Sequence, residues 1–162
     1  MSDIVSILSP AEKHAPHRTS EFGVHGEQMA ADHLVKNGYR LVVSNFKVPV
    51  GRNSKGIQVT GEIDIVALDG ETLCFIEVKT RRSEEFTPVI TNVDRRKQRQ
   101  IVRVAKIYRR IFAVHEMEHR YDVVTVLMPK HAEPSVNLVK GFFSEAKFRK
   151  RQWGGRTRDD FV

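Results

Sequence analysis

Residues 60–80 read TGEIDIVALDGETLCFIEVKT, and this stretch decides the fold. Its halves, 60–68 and 72–80, alternate β-branched or aromatic residues with polar ones, the pattern of half-buried strands. Asp69-Gly70 between them is a strong signal for a two-residue hairpin turn. With that pair as the turn, Leu68 faces Glu71, and Glu62 faces Glu77 with Asp64 on the diagonal. Period-two alternation then sorts the two faces. Ile63, Ile65, Ala67, Cys74, Ile76 and Val78 make one apolar face; Glu62, Asp64, Val66, Phe75, Glu77 and Lys79 make the other. Three carboxylates and an ammonium therefore converge on one patch of sheet.

Upstream, residues 20–37 predict a helix capped by Ser20, with Phe22, Met29, Ala30 and Leu34 inward and Gly38 as its stop. Gly23 and Gly26 weaken that helix, which implies close packing against a neighbour. Residues 39–46 read as a strand, and Pro49, Gly51, Asn53, Ser54 and Gly56 then mark a long polar loop. Beyond a loop containing Pro88, residues 93–114 predict a helix whose buried stripe is Ile101, Val104, Ala105, Tyr108, Ile111 and Phe112. A strand is expected over 121–128, a short strand over 136–139 and a short helix over 142–150. This αβββαβ order predicts an α/β fold, a mixed central β-sheet flanked by helices. The expected organisation is a flexible arm (1–19), one domain (20–146) and a basic tail (147–162).

The chain has 162 residues, enough to bury a core without disulfides or a structural metal. Its apolar fraction of 40% excludes a wholly disordered protein. The single cysteine, Cys74, rules out an internal disulfide and any CxxC site, and fits a reducing cytoplasm. The apolar N-terminal run is short and follows Asp3, so neither a signal peptide nor a membrane span is expected. The net charge of +7 points to a polyanionic partner, nucleic acid first. That charge is unevenly distributed. Residues 95–110 carry eight basic side chains and no acid, and residues 147–158 carry six and no acid. The rest of the chain holds 13 basic and 20 acidic residues and is net negative.

Like charges side by side on a sheet repel, so Glu62, Asp64 and Glu77 together would destabilise a fold unless something offsets them. A divalent cation would, and oxygen ligands suit Mg²⁺ or Mn²⁺. Lys79 returns to the same face and can sit beside an attacking water, an arrangement suited to phosphodiester hydrolysis. The plainer alternative is a solvated face in which Lys79 balances Glu77. On the long helix, Arg96, Arg99, Arg103, Lys106 and Arg110 repeat every three or four residues as a phosphate-tracking face; otherwise they are an ordinary solvated surface. Lys97, one turn before Ile101, points toward the sheet. Phe148 and Trp153 in the tail could stack on unpaired bases or belong to a disordered end. His115-Glu116-Met117-Glu118-His119 satisfies the zinc-protease pattern H-E-x-x-H. That pattern needs both histidines inside a helix, and here it falls past the end of one, so it reads as a chance match.

Gly23-x-x-Gly26-Glu27-x-x-Ala30, Gly38-Tyr39, Asn45, Gly61-Glu62-Ile63-Asp64, Phe75-Ile76-Glu77-Val78-Lys79-x-Arg81, Lys97 and Arg120-Tyr121-Asp122 together resemble the YraN-type family. That family is similar to Holliday-junction resolvases and to the PD-(D/E)xK nuclease superfamily, so the resemblance implies a restriction-endonuclease-like core. It implies Asp64 and Glu77 as metal ligands with the Val78 carbonyl as a third, and Lys79 as the group that orients or deprotonates water. Glu27 would be the helical acid completing the site, and Lys97 either contacts the scissile phosphate or only decorates its helix. The implied activity is divalent-metal-dependent endonucleolytic hydrolysis of DNA, with branched or structured DNA suggested by the resolvase likeness. The alternative is a non-catalytic nucleic-acid-binding or adaptor module with a degenerate nuclease fold. Cutting both strands of a junction symmetrically needs two sites, which is the ground for expecting a homodimer. One departure stands out: residues 46–60 separate Asn45 from the GEID strand, where the family usually has a short loop.

Overall fold

The computed structural model describes residues 21–83 and 93–148. The N-terminal arm, Ser20, the Pro88 loop and the tail from residue 149, with Trp153, lie outside the described residues. Five strands and two helices follow in the order α1 (Glu21–Lys36), β1 (Arg40–Arg52), β2 (Gln58–Asp69), β3 (Thr72–Arg81), α2 (Arg95–Ile111), β4 (His119–Leu127) and β5 (Ser135–Phe143). The sheet runs β1-β2-β3-β4-β5. All neighbours are antiparallel except β3 and β4, the pair joined through α2, as a crossover connection requires. The result is the mixed α/β sheet the element order predicted, consistent with a restriction-endonuclease-like core.

Each helix covers one face. Ala30 and Leu34 of α1 pack with Ile65, Ala67, Cys74, Ile76 and Val124. Ile101, Val104, Ala105 and Tyr108 of α2 pack with Ile63, Val66, Phe75 and Tyr121. Gly38, at φ +86, ends α1 in the left-handed conformation that suits a glycine. Gly26 is required for a different reason, since a Cβ there would overlap the Thr80 side chain of β3. The close packing expected of that glycine is thus the seating of α1 on β3. Among the described residues no helix is long and apolar enough to cross a membrane.

Three expectations need correction. Residues 46–60 are not a long loop. β1 and β2 pair from Arg40–Leu68 out to Arg52–Gln58 as an extended hairpin. Phe46, Val48 and Val50 alternate inward against the α2 side, which outweighs the turn-like residues between them. Pro49 is tolerated because β1 is an edge strand, and Gly51, at φ +134, takes up a register shift. The tip is closed by Asn53, whose side chain accepts from the Lys55 and Ile57 amides.

The second correction is the β2–β3 turn. It is Gly70-Glu71, with Asp69 paired to Thr72 and Leu68 to Leu73. Asp69 is held as a partner of Arg120 and Lys140, each at 2.9 Å, and Gly70 supplies the positive φ at the first turn position. The shift preserves the parity of the faces, so the inside–outside assignment of β3 stands. It removes Glu62 from its expected place opposite Glu77. Third, Phe142 and Phe143 end strand β5 instead of starting a helix, and only a single 3-10 turn follows at Glu145–Phe148. Phe143 is drawn into the strand by stacking on Tyr121 at 4.8 Å.

Candidate active site at the fork of the central hairpin

Pairing of β2 with β3 runs from Asp69–Thr72 to Ile65–Ile76 and stops, although β2 continues to Gln58 and β3 to Arg81. At this point Asp64 replaces a strand partner: its Oδ2 accepts the Val78 amide at 2.7 Å. Alternation in β2 also breaks here, since Ile63 packs on the α2 side and Ile65 on the α1 side. The neighbouring strand carries the matching irregularity. Asn45, between the pairs Ser44–Ile65 and Phe46–Ile63, has φ +54. The two strands part like the arms of a fork, and Asp64 sits in its crotch.

Glu77 lies on the other arm and is 2% exposed. Its Oε1 pairs with Lys79 Nζ at 2.8 Å and its Oε2 lies 3.2 Å from Lys97 Nζ. The Lys97 contact is an ion pair off the hydrogen-bonding direction, so Oε2 has no hydrogen-bond donor among the described residues. Lys97 reaches this point because Asp94 caps α2, accepting the Lys97 amide at 2.8 Å and placing it in the first turn. The sequence reading of Lys97 as a sheet-facing residue therefore holds.

The electrostatics follow from burial of like charges. Burial first, then the Glu77 charge, raise the Asp64 carboxyl to about 8, against the opposing Val78 amide and Lys97. Glu27, on α1, is raised by burial despite a hydrogen bond to the Asn45 side chain, with Glu62 and Glu77 adding to the rise. Burial pulls Lys97 down, but Glu77 and Asp64 outweigh it and hold its ammonium above the usual range. Glu27, Asp64, Glu77 and Lys97 thus interact as one charged cluster. Glu62 stands at its edge, paired across the hairpin with Lys47 at 3.4 Å.

The basic helix divides. Arg96, Lys97, Arg99 and Arg103 line one cleft, whereas Lys106 pairs with Glu145 at 3.6 Å and Arg110 lies outside that cleft. Two residues near the site had no role assigned from sequence: Asn45, whose signal is its place in the family motif, and Arg52, which lines the same cleft from the β1–β2 hairpin. The zinc-protease pattern dissolves, because α2 ends at Ile111, His115 lies in a turn and His119 opens β4 with Nε2 3.0 Å from Glu145. Cys74 is buried in the α1-side core, as its position on the apolar face predicted.

Residues 26–126 match the family model described as "Uncharacterised protein family UPF0102". A UPF0102 protein of Chlorobium limicola is 39% identical over 114 residues, covering 70% of this chain and 78% of its own. One from Trichlorobacter lovleyi is 40% identical over 122 residues, covering 75% and 88%. UPF0102 protein CT2262 of Chlorobaculum tepidum is 41% identical over 114 residues, covering 70% and 81%. The crystal structure of SSO0001 aligns over 79% of this chain and 56% of that one, at 16% identity and a TM-score of 0.35. The chain belongs to the uncharacterised family UPF0102, the YraN family that its motifs resemble.

Proposed function

We propose that this protein is a divalent-metal-dependent endonuclease that hydrolyses phosphodiester bonds of DNA, with branched DNA among its substrates. The observation that carries this reading is the fork itself, where a strand interruption brings Asp64 beside Glu77 and sets Lys79 and Lys97 on Glu77. Asp64 and Glu77 would hold Mg²⁺ or Mn²⁺, with the Val78 carbonyl as a third donor. The fit rests on two features: Glu77 Oε2 is buried without a hydrogen-bond donor, and Asp64 resists ionisation beside Glu77. A cation would relieve both. Among the described residues no three His, Cys, Asp or Glu side chains gather closely enough to hold a metal. The donor set is that of a cation which keeps waters and takes phosphate oxygens, as Mg²⁺ commonly does. When bound, such an ion acts as a Lewis acid toward phosphate and lowers the pKa of water.

The chain's own groups supply the rest. The Val78 amide fixes the Asp64 carboxylate. An ammonium has no lone pair, so Lys79 Nζ, in its ion pair with Glu77, orients the attacking water and stabilises charge on phosphate. Lys97, in the first turn of α2, offers a second cation to the scissile group. Glu27 approaches from α1 as a further acid within electrostatic reach of Asp64. One observation favours a binding module instead: two lysines already balance Glu77 without a metal.

The test is cleavage of duplex, single-stranded and four-way DNA with Mg²⁺ or Mn²⁺. Wild type is expected to cut, and Lys79→Ala and Asp64→Asn to lose at least about 100-fold in rate while keeping DNA affinity. Equal rates in wild type and either variant would overturn the site. Salt-sensitive binding without cleavage under every metal condition would establish the binding module.

A further inference from the structure

The lengthened hairpin and the basic helix face each other across a cleft of about 540 Å³. Arg52 and Asn53 line it from the hairpin, and Arg96, Arg99 and Arg103 from α2, with Lys97 among the lining residues. Lys97 also touches Glu77, so the cleft and the fork share this residue. Asp94, the acid in its lining, is engaged as the cap of α2. Among the described residues no carboxylate pairs with Arg52, Arg96, Arg99 or Arg103.

The two walls are braced. A Cβ at Gly61 would overlap the Val104 side chain of α2 and crowd Val50, so only a glycine lets the hairpin lie this close to the helix. Gln100 Nε2 reaches the Thr60 carbonyl at 3.4 Å. At the tip, Arg52 donates to the Gly56 carbonyl at 2.7 Å, which fixes the guanidinium against its own turn.

We infer that the β1–β2 hairpin is the second wall of a DNA-backbone groove, in which Arg52 and the α2 arginines hold phosphates of the strand that enters the fork. The hairpin, paired out to Arg52–Gln58, is then a gripping arm. The basic stripe acts only where it faces that arm, through Arg96, Arg99 and Arg103, and not through Lys106 or Arg110. The inference takes from the nuclease reading only that the ligand is DNA.

Arg52→Ala and Arg110→Ala each remove one positive charge, and net charge alone would weaken binding equally. Fluorescence anisotropy of labelled DNA with the full chain in EDTA separates the two cases without turnover. Arg52→Ala and Arg103→Ala are each expected to weaken binding about five-fold and to reduce the salt slope by about one. Arg110→Ala is expected to stay within about twofold of wild type, and Arg52→Lys to recover the slope. Because Arg103 lies on the helix wall, its variant reports on the groove even if Arg52→Ala loosens the hairpin tip. Equal losses for Arg52→Ala, Arg103→Ala and Arg110→Ala, or no binding by wild type, would overturn the groove. Groove-dependent binding without cleavage supports the groove and overturns only the nuclease reading. Cleavage retained with equal losses does the reverse.

Discussion

Asp64 is asked to carry a charge where the protein makes charge costly. An unfolded chain releases the proton near 3.8, whereas burial and Glu77 keep it on the folded carboxyl up to about 8. The folded state therefore binds the extra proton between those limits. This contribution to stability is present below the unfolded value and is lost as pH rises toward about 8. In EDTA, melting temperature is expected to fall over that range for wild type. Asp64→Asn can still accept the Val78 amide but carries no charge, so its profile should be flatter. Near neutral pH its melting point should be higher by about 2–4 °C, and thermal denaturation across pH 5–8 reads both effects. A lower melting point for the variant would show that the carboxylate stabilises the metal-free fold. Sacrificing stability at such a residue is what a functional site does.

The elements show how far the sequence could be read. Helix α2, with Lys97 turned to the sheet, followed from helical spacing, except that Ile111 and Phe112, expected in its buried stripe, are exposed where the helix ends. The inside–outside sorting of β3 followed from parity, which survived a misplaced turn. The break at Asp64 was not legible in the same way. It coincides with the positive φ of Asn45 in the neighbouring strand, a feature that alternation within one strand does not see. The β1 extension was visible in Phe46, Val48 and Val50, but Pro49, Gly51 and Gly56 drew the reading toward a loop. The expected convergence of Glu62, Asp64 and Glu77 holds only for Asp64 and Glu77, which interact electrostatically, while Glu62 pairs with Lys47. The α1–β3 contact gives an element-scale test. Gly26→Ala improves helix propensity by about 1 kcal/mol, yet its Cβ would overlap Thr80, and overpacking costs about 1–3 kcal/mol. The overlap should win, lowering the melting temperature by a few degrees, and Thr80→Ala in the same chain should recover most of the loss. A more stable Gly26→Ala would mean that α1 does not seat this closely.

At the scale of the whole molecule, the fork explains why opposite charges are kept apart in the chain and brought together in space. Helices α1 and α2 cover opposite faces of the sheet, and the far end of the β1–β2 hairpin lies against α2. Asp64 and Glu77 lie where β2 and β3 stop pairing, and the α2 arginines line a cleft that shares Lys97 with this point. At the far end, Arg120 ties Asp122, Asp69 and Tyr39 together, fixing the closed end of the hairpin while the other end diverges. A net charge of +7 by itself said only that a polyanion is a reasonable partner. On the proposed reading, its placement would put phosphates in the cleft and a cation in the fork. The central claim is that this fork holds a divalent cation, and an anomalous difference map from Mn²⁺-soaked crystals addresses it most directly. A peak is expected between the Asp64 and Glu77 carboxylates, and none there in Asp64→Asn. Mn²⁺ bound elsewhere, or no peak in crystals of a protein that cleaves DNA in Mn²⁺, would contradict it.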